Sequence, residues 1–255
     1  FFIFFEKDDF TNIEAARNLG NLAYKLASDA QLKEVSIQSE LSEEYTYAFV
    51  EGLALSNYKF DKYKSKATTL IDNIYVSQDN FTQEAVNTLN NIVKSVFYGR
   101  DIVNEPLSTL KAKEISESAK KVSDEAGIQY KELGIDAIRS LKMGGVLGVN
   151  QGSELDPTFT VLEWKPENAI NKKPIVLVGK GVEYDTGGYS IKVGDGMMTM
   201  KCDMGGAAAV FGSTYLAALE KLPLHIITLV PAVENRINEK AFVPGDVLTI
   251  SDGTT

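Results

Sequence analysis

Apolar residues at helical spacing dominate the first 56 residues of the chain. Thr11-Asn12-Ile13-Glu14 fits a capping box, and apolar side chains then recur every three or four residues as far as Leu26. The same spacing places Phe49 and Leu53 on one face of a second stretch, 42–56. These patterns predict two amphipathic helices close to the amino terminus.

Three further elements are predicted after this pair of helices. A strand is expected at 68–76, after a polar and lysine-rich stretch. Long helical patterns then cover 82–103 and 109–126, and the second of them stops at Gly127, a residue that favours helix ends. We place the boundary between two domains near residue 80.

Short apolar runs alternate with helical segments in the second half of the chain. The runs and the long helix among them are, in order, 145–149, 158–164, 174–179, the helix 205–221 and 224–230. Such alternation is typical of α/β proteins, and runs this apolar are typical of a buried sheet. The pattern therefore predicts an α/β fold with a largely buried sheet.

Composition and charge exclude several classes of protein. The 255 residues carry a net charge of −9 and a pI near 4.8, which disfavours nucleic acid and anionic membrane as partners because both need a basic surface. No apolar run approaches the roughly 20 residues that span a bilayer. The one cysteine, Cys202, cannot form an internal disulfide, so a reducing cytoplasm is the expected location.

Charged residues gather where the apolar run 174–179 ends. Lys180 follows the run directly, and Asp185 comes just before a Thr-Gly-Gly sequence. Lys192 lies seven residues later, and Asp203 stands just before the next helix. Ligands in α/β sheets collect at the carboxyl ends of strands, so this is a candidate site. Taken singly, the aspartates could instead begin a turn or cap a helix, and the lysines could be solvated.

Two nucleotide-binding motifs fail on this stretch. A Walker loop needs Ser or Thr after Gly-Lys, where this chain has Gly181. The dinucleotide fingerprint needs a third glycine where Tyr184 stands. The glycines of this segment are therefore not evidence for a bound nucleotide.

The stretch as a whole resembles the leucyl (cytosol) aminopeptidase family of dinuclear metallopeptidases. VGKGVEYDTGGYSIK, followed by MKCDMGGAAAV, fits that family's long gapped pattern with its spacing intact. Other segments are similar too, among them RDIVNEP at 100–106, GVNQGS at 148–153 and PAVEN at 231–235. The resemblance covers essentially the whole chain. It implies a smaller, partial amino-terminal α/β domain, 1–80, and a catalytic α/β domain, 81–255, with a central mixed sheet flanked by helices.

The resemblance implies a role for five residues. Lys180 would bind one metal through its amine, Asp185 would bridge two metals, and Asp203 would bind the same metal as the lysine. Lys192 would polarise the scissile carbonyl and stabilise the oxyanion. Met200 would line the pocket for the first side chain of the substrate. The implied cofactors are two divalent metal ions, zinc or manganese.

These residue types suit the implied chemistry. A lysine amine that is neutral near pH 7, against a free pKa of about 10.4, needs a nearby divalent cation to stabilise it. Two metals roughly 3.5 to 4 Å apart activate a shared water, and a protonated lysine beside them stabilises an oxyanion. The resemblance thus implies a cytoplasmic aminopeptidase with a leucine-type preference, acting on peptides as a homo-hexamer.

Two aspartates do not balance the charge of two divalent metals. The family supplies further ligands from a run N-T-D-A-E-G-R, whose arginine holds a bicarbonate, and the 255 residues contain no such run. The chain looks truncated just before it, so we expect these residues alone to be inactive and to bind at most one metal well. Substitution by Glu234, Asp246 or Asp252 is disfavoured, since the first two lie in family segments without a metal role.

A second class of function stays open at this point. A non-catalytic relative, serving as an assembly or binding protein, would have the same fold. All four charged residues of the candidate site are intact, which favours the enzyme because a degenerate relative has little reason to keep all of them.

Overall fold

The computed structural model of the protein describes residues 2–68, 70–78 and 81–255. The chain divides into two compact units, Phe1–Phe97 and Tyr98–Thr255. The sequence predicted a domain boundary near residue 80. Residues 79 and 80 lie outside the described residues.

The first unit combines helices with a parallel pair of strands. In chain order its elements are α1 (Ile13–Asp29), β1 (Glu34–Gln38), α2 (Glu43–Ser56), β2 (Asn73–Ser77) and α3 (Gln83–Asn104), which runs on into the second unit. The predicted helices are confirmed, although Asn12 caps α1 in place of Thr11, through a 2.9 Å hydrogen bond from the Ala15 amide. The strand expected at 68–76 begins only at Asn73, and β1 was not predicted.

Glycines allow α1 and α2 to pack closely. A Cβ atom on Gly20 would overlap the carbonyl oxygen of Phe49, and one on Gly52 would overlap that of Arg17. Arg17 Nε and Glu51 Oε2 lie 2.6 Å apart and add an ion pair where the helices meet. The buried core of this unit consists of Ala23, Tyr24, Ala27, Phe49, Leu53 and Ile71.

The second unit alternates strands and helices, as the apolar runs predicted. After α3 its elements are α4 (Ala112–Ala126), β3 (Gln129–Leu133), α5 (Ile135–Ser140), α6 (Gly144–Asn150), β4 (Thr158–Trp164), β5 (Ile175–Val178), β6 (Gly181–Asp185), α7 (Asp195–Met198), α8 (Gly205–Leu219) and β7 (Ile226–Asn235). Gly127 ends α4 in the left-handed conformation, with φ of 71°.

These strands form the expected central mixed sheet. Among the described residues the strand order is β3-β4-β7-β5, and β6 also pairs with β7. The pairs β3–β4 and β4–β7 are antiparallel, whereas β5 and β6 both run parallel to β7. Val178 aligns with Leu229 and Gly181 with Ala232, so β5 and β6 follow one another along the same edge of β7. The chain steps out of the sheet between them, at Lys180.

Helices α4 and α8 cover this sheet. Ile115 of α4 and Phe211 of α8 are fully buried against Leu162 of β4 and Val230 of β7. The fold class is therefore the mixed α/β arrangement that the sequence predicted. In this arrangement α8 begins directly beside the step between β5 and β6.

The apolar run at 145–149 forms helix α6, so its interpretation as a strand is wrong. Gly144 and Gly148 lie one helical turn apart and share a face. A Cβ atom on Gly144 would overlap the Thr249 carbonyl, and one on Gly148 would lie 2.5 Å from Leu248 Cδ1. The helix thus presents both glycines to a later segment of chain, a contact that periodicity cannot reveal.

Strand β7 continues five residues beyond its predicted end at 230. The predicted strand stops directly before Pro231, a residue that cannot donate to a ladder. The carbonyls of Leu229 and Asn235 accept hydrogen bonds on the side of β5 and β6. Every second residue of a strand directs its backbone groups to the same edge, so Pro231 faces this side too. Its missing N–H therefore faces the place where the chain steps from β5 to β6. This continuation brings Asn235 to the candidate site.

Candidate metal centre

The start of α8 fixes the backbone of Lys180 at the step between β5 and β6. The Lys180 carbonyl accepts a 2.9 Å hydrogen bond from the Ala207 amide, and the Gly179 amide donates to the Leu229 carbonyl at 2.9 Å. A Cβ atom on Gly206 would lie 2.9 Å from the backbone nitrogen of Lys180. The small residues of α8 are thus needed for the helix to approach the lysine so closely.

Lys180 forms an ion pair with Asp203, the residue that the sequence assigned to the same metal. Lys180 Nζ lies 2.8 Å from Asp203 Oδ2. That oxygen is buried and receives no hydrogen bond from the described residues, so the contact is ionic without hydrogen-bond alignment. Asp203 follows a 3-10 turn, Met200–Cys202, which packs against β6. A divalent cation at this oxygen would take the place of the ammonium contact.

Asp185 ends β6 and is held at both of its carboxylate oxygens. Its Oδ1 accepts hydrogen bonds from the Gly187 amide at 2.9 Å and from Asn235 Nδ2 at 2.6 Å. Its Oδ2 lies 2.7 Å from Lys192 Nζ. Gly187 and Gly188 have φ of 86° and 58°, a left-handed turn that suits glycine and returns the chain to Asp185.

Electrostatics favours the charged forms of Asp185 and Lys192. Burial alone would raise the pKa of Asp185, but hydrogen bonds from Lys192, Gly187 and Asn235 outweigh it and lower that pKa to about 2. The hydrogen bond to Asp185 raises the pKa of Lys192, and the charge of Asp203 raises it further. The charge of Asp203 therefore acts on Lys192, which links the two ion pairs electrostatically.

The donor set of this cluster suits a divalent cation. Carboxylate oxygens and a neutral amine are ligands for zinc and manganese. In this structure the positive charges beside the two carboxylates are the ammonium groups of Lys180 and Lys192. Within the described ranges no three His, Cys, Asp or Glu side chains are grouped to hold a metal. A lysine is the third donor here, and Asp203 Oδ2, which is buried and paired with Lys180 Nζ, fits a cation that approaches between Lys180 and Asp203.

Met200 lies beside this cluster, and its role as a pocket residue stays a prediction. Its side chain is half-buried, and its carbonyl accepts a 3.3 Å hydrogen bond from the Asp203 amide. Met200, the first residue of the 3-10 turn, thus supports Asp203, which follows the turn.

The acids considered as substitute ligands are engaged elsewhere. Glu234 accepts a 2.7 Å hydrogen bond from Ser153 and lies 3.5 Å from Arg236. Asp246 accepts from the Val243 amide, and Asp252 accepts from the amide of Thr254. The expectation that other residues provide the second metal's ligands stays a prediction.

Sequence reasoning missed two residues next to the site. Asn235 was recognised only as part of a matching segment, because its strand was predicted to end at 230. Glu183 is 2% exposed, and neither of its carboxylate oxygens has a partner among the described residues. Burial, and then the charge of Glu234, raises the pKa of Glu183 to about 8, so its carboxyl group is mainly neutral at pH 7. Strand β6 was itself not predicted, so no sequence signal indicated that this acid is buried.

A mixed α/β sheet with an amine and two carboxylates at strand ends defines a candidate metalloprotein. Residues 97–255 match the family described as "Cytosol aminopeptidase family, catalytic domain". The match covers more than half of the chain, and the chain belongs to the cytosol aminopeptidase family. No described helix is both long and apolar enough to cross a membrane.

Curated relatives carry the same family name. The probable cytosol aminopeptidase of Chlorobium limicola is 38% identical over 224 residues, which cover 82% of this chain and 44% of the relative. The probable cytosol aminopeptidase of Solibacter usitatus is 35% identical over 244 residues, with coverages of 94% and 51%. The chain thus spans about half the length of the curated relatives it matches.

Solved structures share the fold of the chain. Cytosol aminopeptidase from Coxiella burnetii superimposes with a TM-score of 0.81 at 26% identity, over 95% of this chain and 50% of that one. The bottromycin maturation enzyme BotP in complex with Mn gives a TM-score of 0.85 at 25% identity, with coverages of 95% and 52%.

Proposed function

We propose that the full-length protein is a metal-dependent aminopeptidase that releases N-terminal residues from peptides. The observation that carries this proposal is the cluster of Lys180, Asp185 and Asp203 at the strand ends, inside the segment that matches the family's catalytic domain. An amine and two carboxylates in one cluster suit a divalent metal.

Lys180, Asp185 and Asp203 would hold one divalent cation, zinc or manganese, and Asp185 would be shared with a second. The manganese complex of BotP supports divalent metals on this fold. Such a metal pair, when bound, supplies Lewis acidity and an activated water at neutral pH. Lys180 would lose its proton on ligation, and Asp203 Oδ2 would exchange the ammonium contact for a metal contact.

Lys192 would act on the substrate and not on the metal. Its side chain is one-third exposed and its pKa is raised, so the amine is protonated at neutral pH. When Asp185 Oδ2 binds a cation, the pull of this carboxylate on Lys192 weakens. The ammonium group can then turn toward the scissile carbonyl and stabilise the negative charge that develops on its oxygen.

Substrate preference and assembly complete the proposal. Met200, at the head of the 3-10 turn beside Asp203, would contact the first side chain of the peptide and favour leucine-type residues. We also propose a cytoplasmic homo-hexamer with bicarbonate as a proton carrier. The remaining metal ligands and the bicarbonate-binding arginine would come from chain outside these 255 residues.

Metal removal and restoration test this function. The full-length protein should cleave leucyl-p-nitroanilide, lose this activity when a chelator strips its metal, and regain it with Mn²⁺ or Zn²⁺. N-acetyl-leucyl-p-nitroanilide, which has no free amino terminus, is the control and should stay intact. Cleavage that survives complete metal removal would contradict the proposal. Absence of cleavage with every divalent metal would favour the non-catalytic alternative.

A further inference from the structure

Asn235 contacts the candidate metal cluster through two separate groups. Its backbone carbonyl accepts hydrogen bonds from the Thr186 amide at 3.1 Å and from Thr186 Oγ1 at 2.7 Å. Its side-chain Nδ2 donates to Asp185 Oδ1 at 2.6 Å. The backbone bonds join the ends of β6 and β7 whatever side chain stands at this position. The amide side chain therefore has a contact of its own, which the strand pairing does not require.

The two N–H groups at Asp185 Oδ1 leave that oxygen little capacity for a metal. A carboxylate oxygen offers about two lone-pair sites, and Oδ1 already accepts from Gly187 and Asn235. The other oxygen, Oδ2, has Lys192 as its partner, and an ammonium group can be displaced by a cation. The geometry thus separates the two oxygens by function: Oδ1 is anchored and Oδ2 faces the charged cluster.

Gly188 leaves room for the Asn235 side chain. A Cβ atom on Gly188 would lie 3.0 Å from Asn235 Oδ1, so the absence of a side chain there keeps the glycine turn clear of the amide. The amide nitrogen donates to Asp185 Oδ1.

We infer that Asn235 is a positioning residue that turns Asp185 so that Oδ2 alone is presented to the metal. The inference rests on the proposed function, since it concerns the same cation. It states that the Asn235 amide and the Gly187 N–H saturate Oδ1. Oδ2 is then the oxygen with which Asp185 would hold a metal.

Replacement of Asn235 by serine tests the inference. Serine is polar and small enough to leave the backbone bonds to Thr186 intact, but it is too short to reach Asp185 Oδ1. Partners that orient metal ligands typically contribute about 10- to 100-fold in metal affinity. We therefore expect Asn235→Ser to weaken Mn²⁺ binding by at least about 10-fold, measured by calorimetric titration of the metal-free, full-length protein.

Asn238→Ser is the matched control, because the Asn238 side chain accepts from the Lys240 amide in the next turn. It should keep the wild-type Mn²⁺ affinity. Asn235→Leu, which keeps the approximate shape without a donor, provides a second variant if the serine protein unfolds. Melting temperatures of the metal-free proteins show whether a variant is folded.

The outcomes separate this inference from the proposed function. If the wild-type protein binds no Mn²⁺ at this cluster, the proposed function fails. If the wild type binds Mn²⁺ and a folded Asn235→Ser or Asn235→Leu protein binds it equally well, only the role of Asn235 is overturned. An equal loss in the Asn238→Ser control would also overturn it, since the effect would then be a general weakening of the loop.

Discussion

At the scale of single residues, each lysine of the cluster neutralises one carboxylate. Lys180 pairs with Asp203, and Lys192 pairs with Asp185. The two lysines differ in what metal binding would require of them. Lys180 must lose a proton to become a ligand, whereas Lys192 must only move away from Asp185 Oδ2 and stay charged. This difference separates a metal ligand from a group that acts on the substrate.

Lys192→Ala should lower turnover without a loss of metal. Removal of one group that stabilises an oxyanion typically lowers kcat by about 100- to 1000-fold. Metal binding should be equal or tighter, because Lys192 competes with the cation for Asp185 Oδ2. Kinetics and elemental analysis of the full-length protein check both points, with the exposed Lys172→Ala as control. A loss of one metal per subunit in the Lys192→Ala protein would make Lys192 a ligand and contradict its role.

At the scale of elements, the site depends on α8 starting beside the step between β5 and β6. Gly206 lies against Lys180. A Cβ atom on Gly206 would lie 2.9 Å from the backbone nitrogen of Lys180 and 3.3 Å from the Lys180 Cβ. Gly205, one residue earlier, has open space at the same position. Neighbouring glycines of one helix thus differ in what they allow, and only Gly206 sets the position of a predicted ligand.

Gly206→Ala should destabilise the protein and weaken its metal binding. Overpacking typically costs about 1 to 3 kcal/mol, which exceeds the gain of up to about 1 kcal/mol in helix propensity. Gly205→Ala has room for its methyl group and should be neutral or slightly stabilising. Thermal unfolding and Mn²⁺ titration of the two variants measure the difference. Equal behaviour of the two proteins would show that the close approach of Gly206 to Lys180 has no energetic consequence.

The elements also show what the sequence can and cannot predict. Helices α1, α2 and α4 were predicted because caps and apolar spacing are local signals. Strand β4 was predicted at its observed bounds, because it is rich in aromatic and β-branched residues. Helix α6 was missed because its glycines serve a contact with residues 248–249. Strand β6 was missed because its charged residues interrupt the apolar pattern.

At the scale of the whole molecule, the candidate ligands come from a short segment, and their support comes from distant chain. Lys180, Asp185 and Asp203 lie within one motif, so the sequence alone could nominate them. Asn235 contacts Asp185 from 50 residues away, and no local pattern announces such a contact. In the proposed function, Lys180, Asp185 and Asp203 would hold one cation, and Asp185 would be shared with a second. The central claim of this proposal is that Lys180, Asp185 and Asp203 hold a divalent cation.

Diffraction from crystals of the full-length protein soaked in Mn²⁺ tests that claim most directly. The anomalous signal of manganese locates the ion without reference to any assumed ligand. We predict a peak within about 2.0 to 2.3 Å of Lys180 Nζ, Asp185 Oδ2 and a carboxylate oxygen of Asp203, with Asn235 still bonded to Asp185 Oδ1. Absence of manganese from this cluster, with the Lys180–Asp203 and Lys192–Asp185 ion pairs intact at saturating Mn²⁺, would contradict the account.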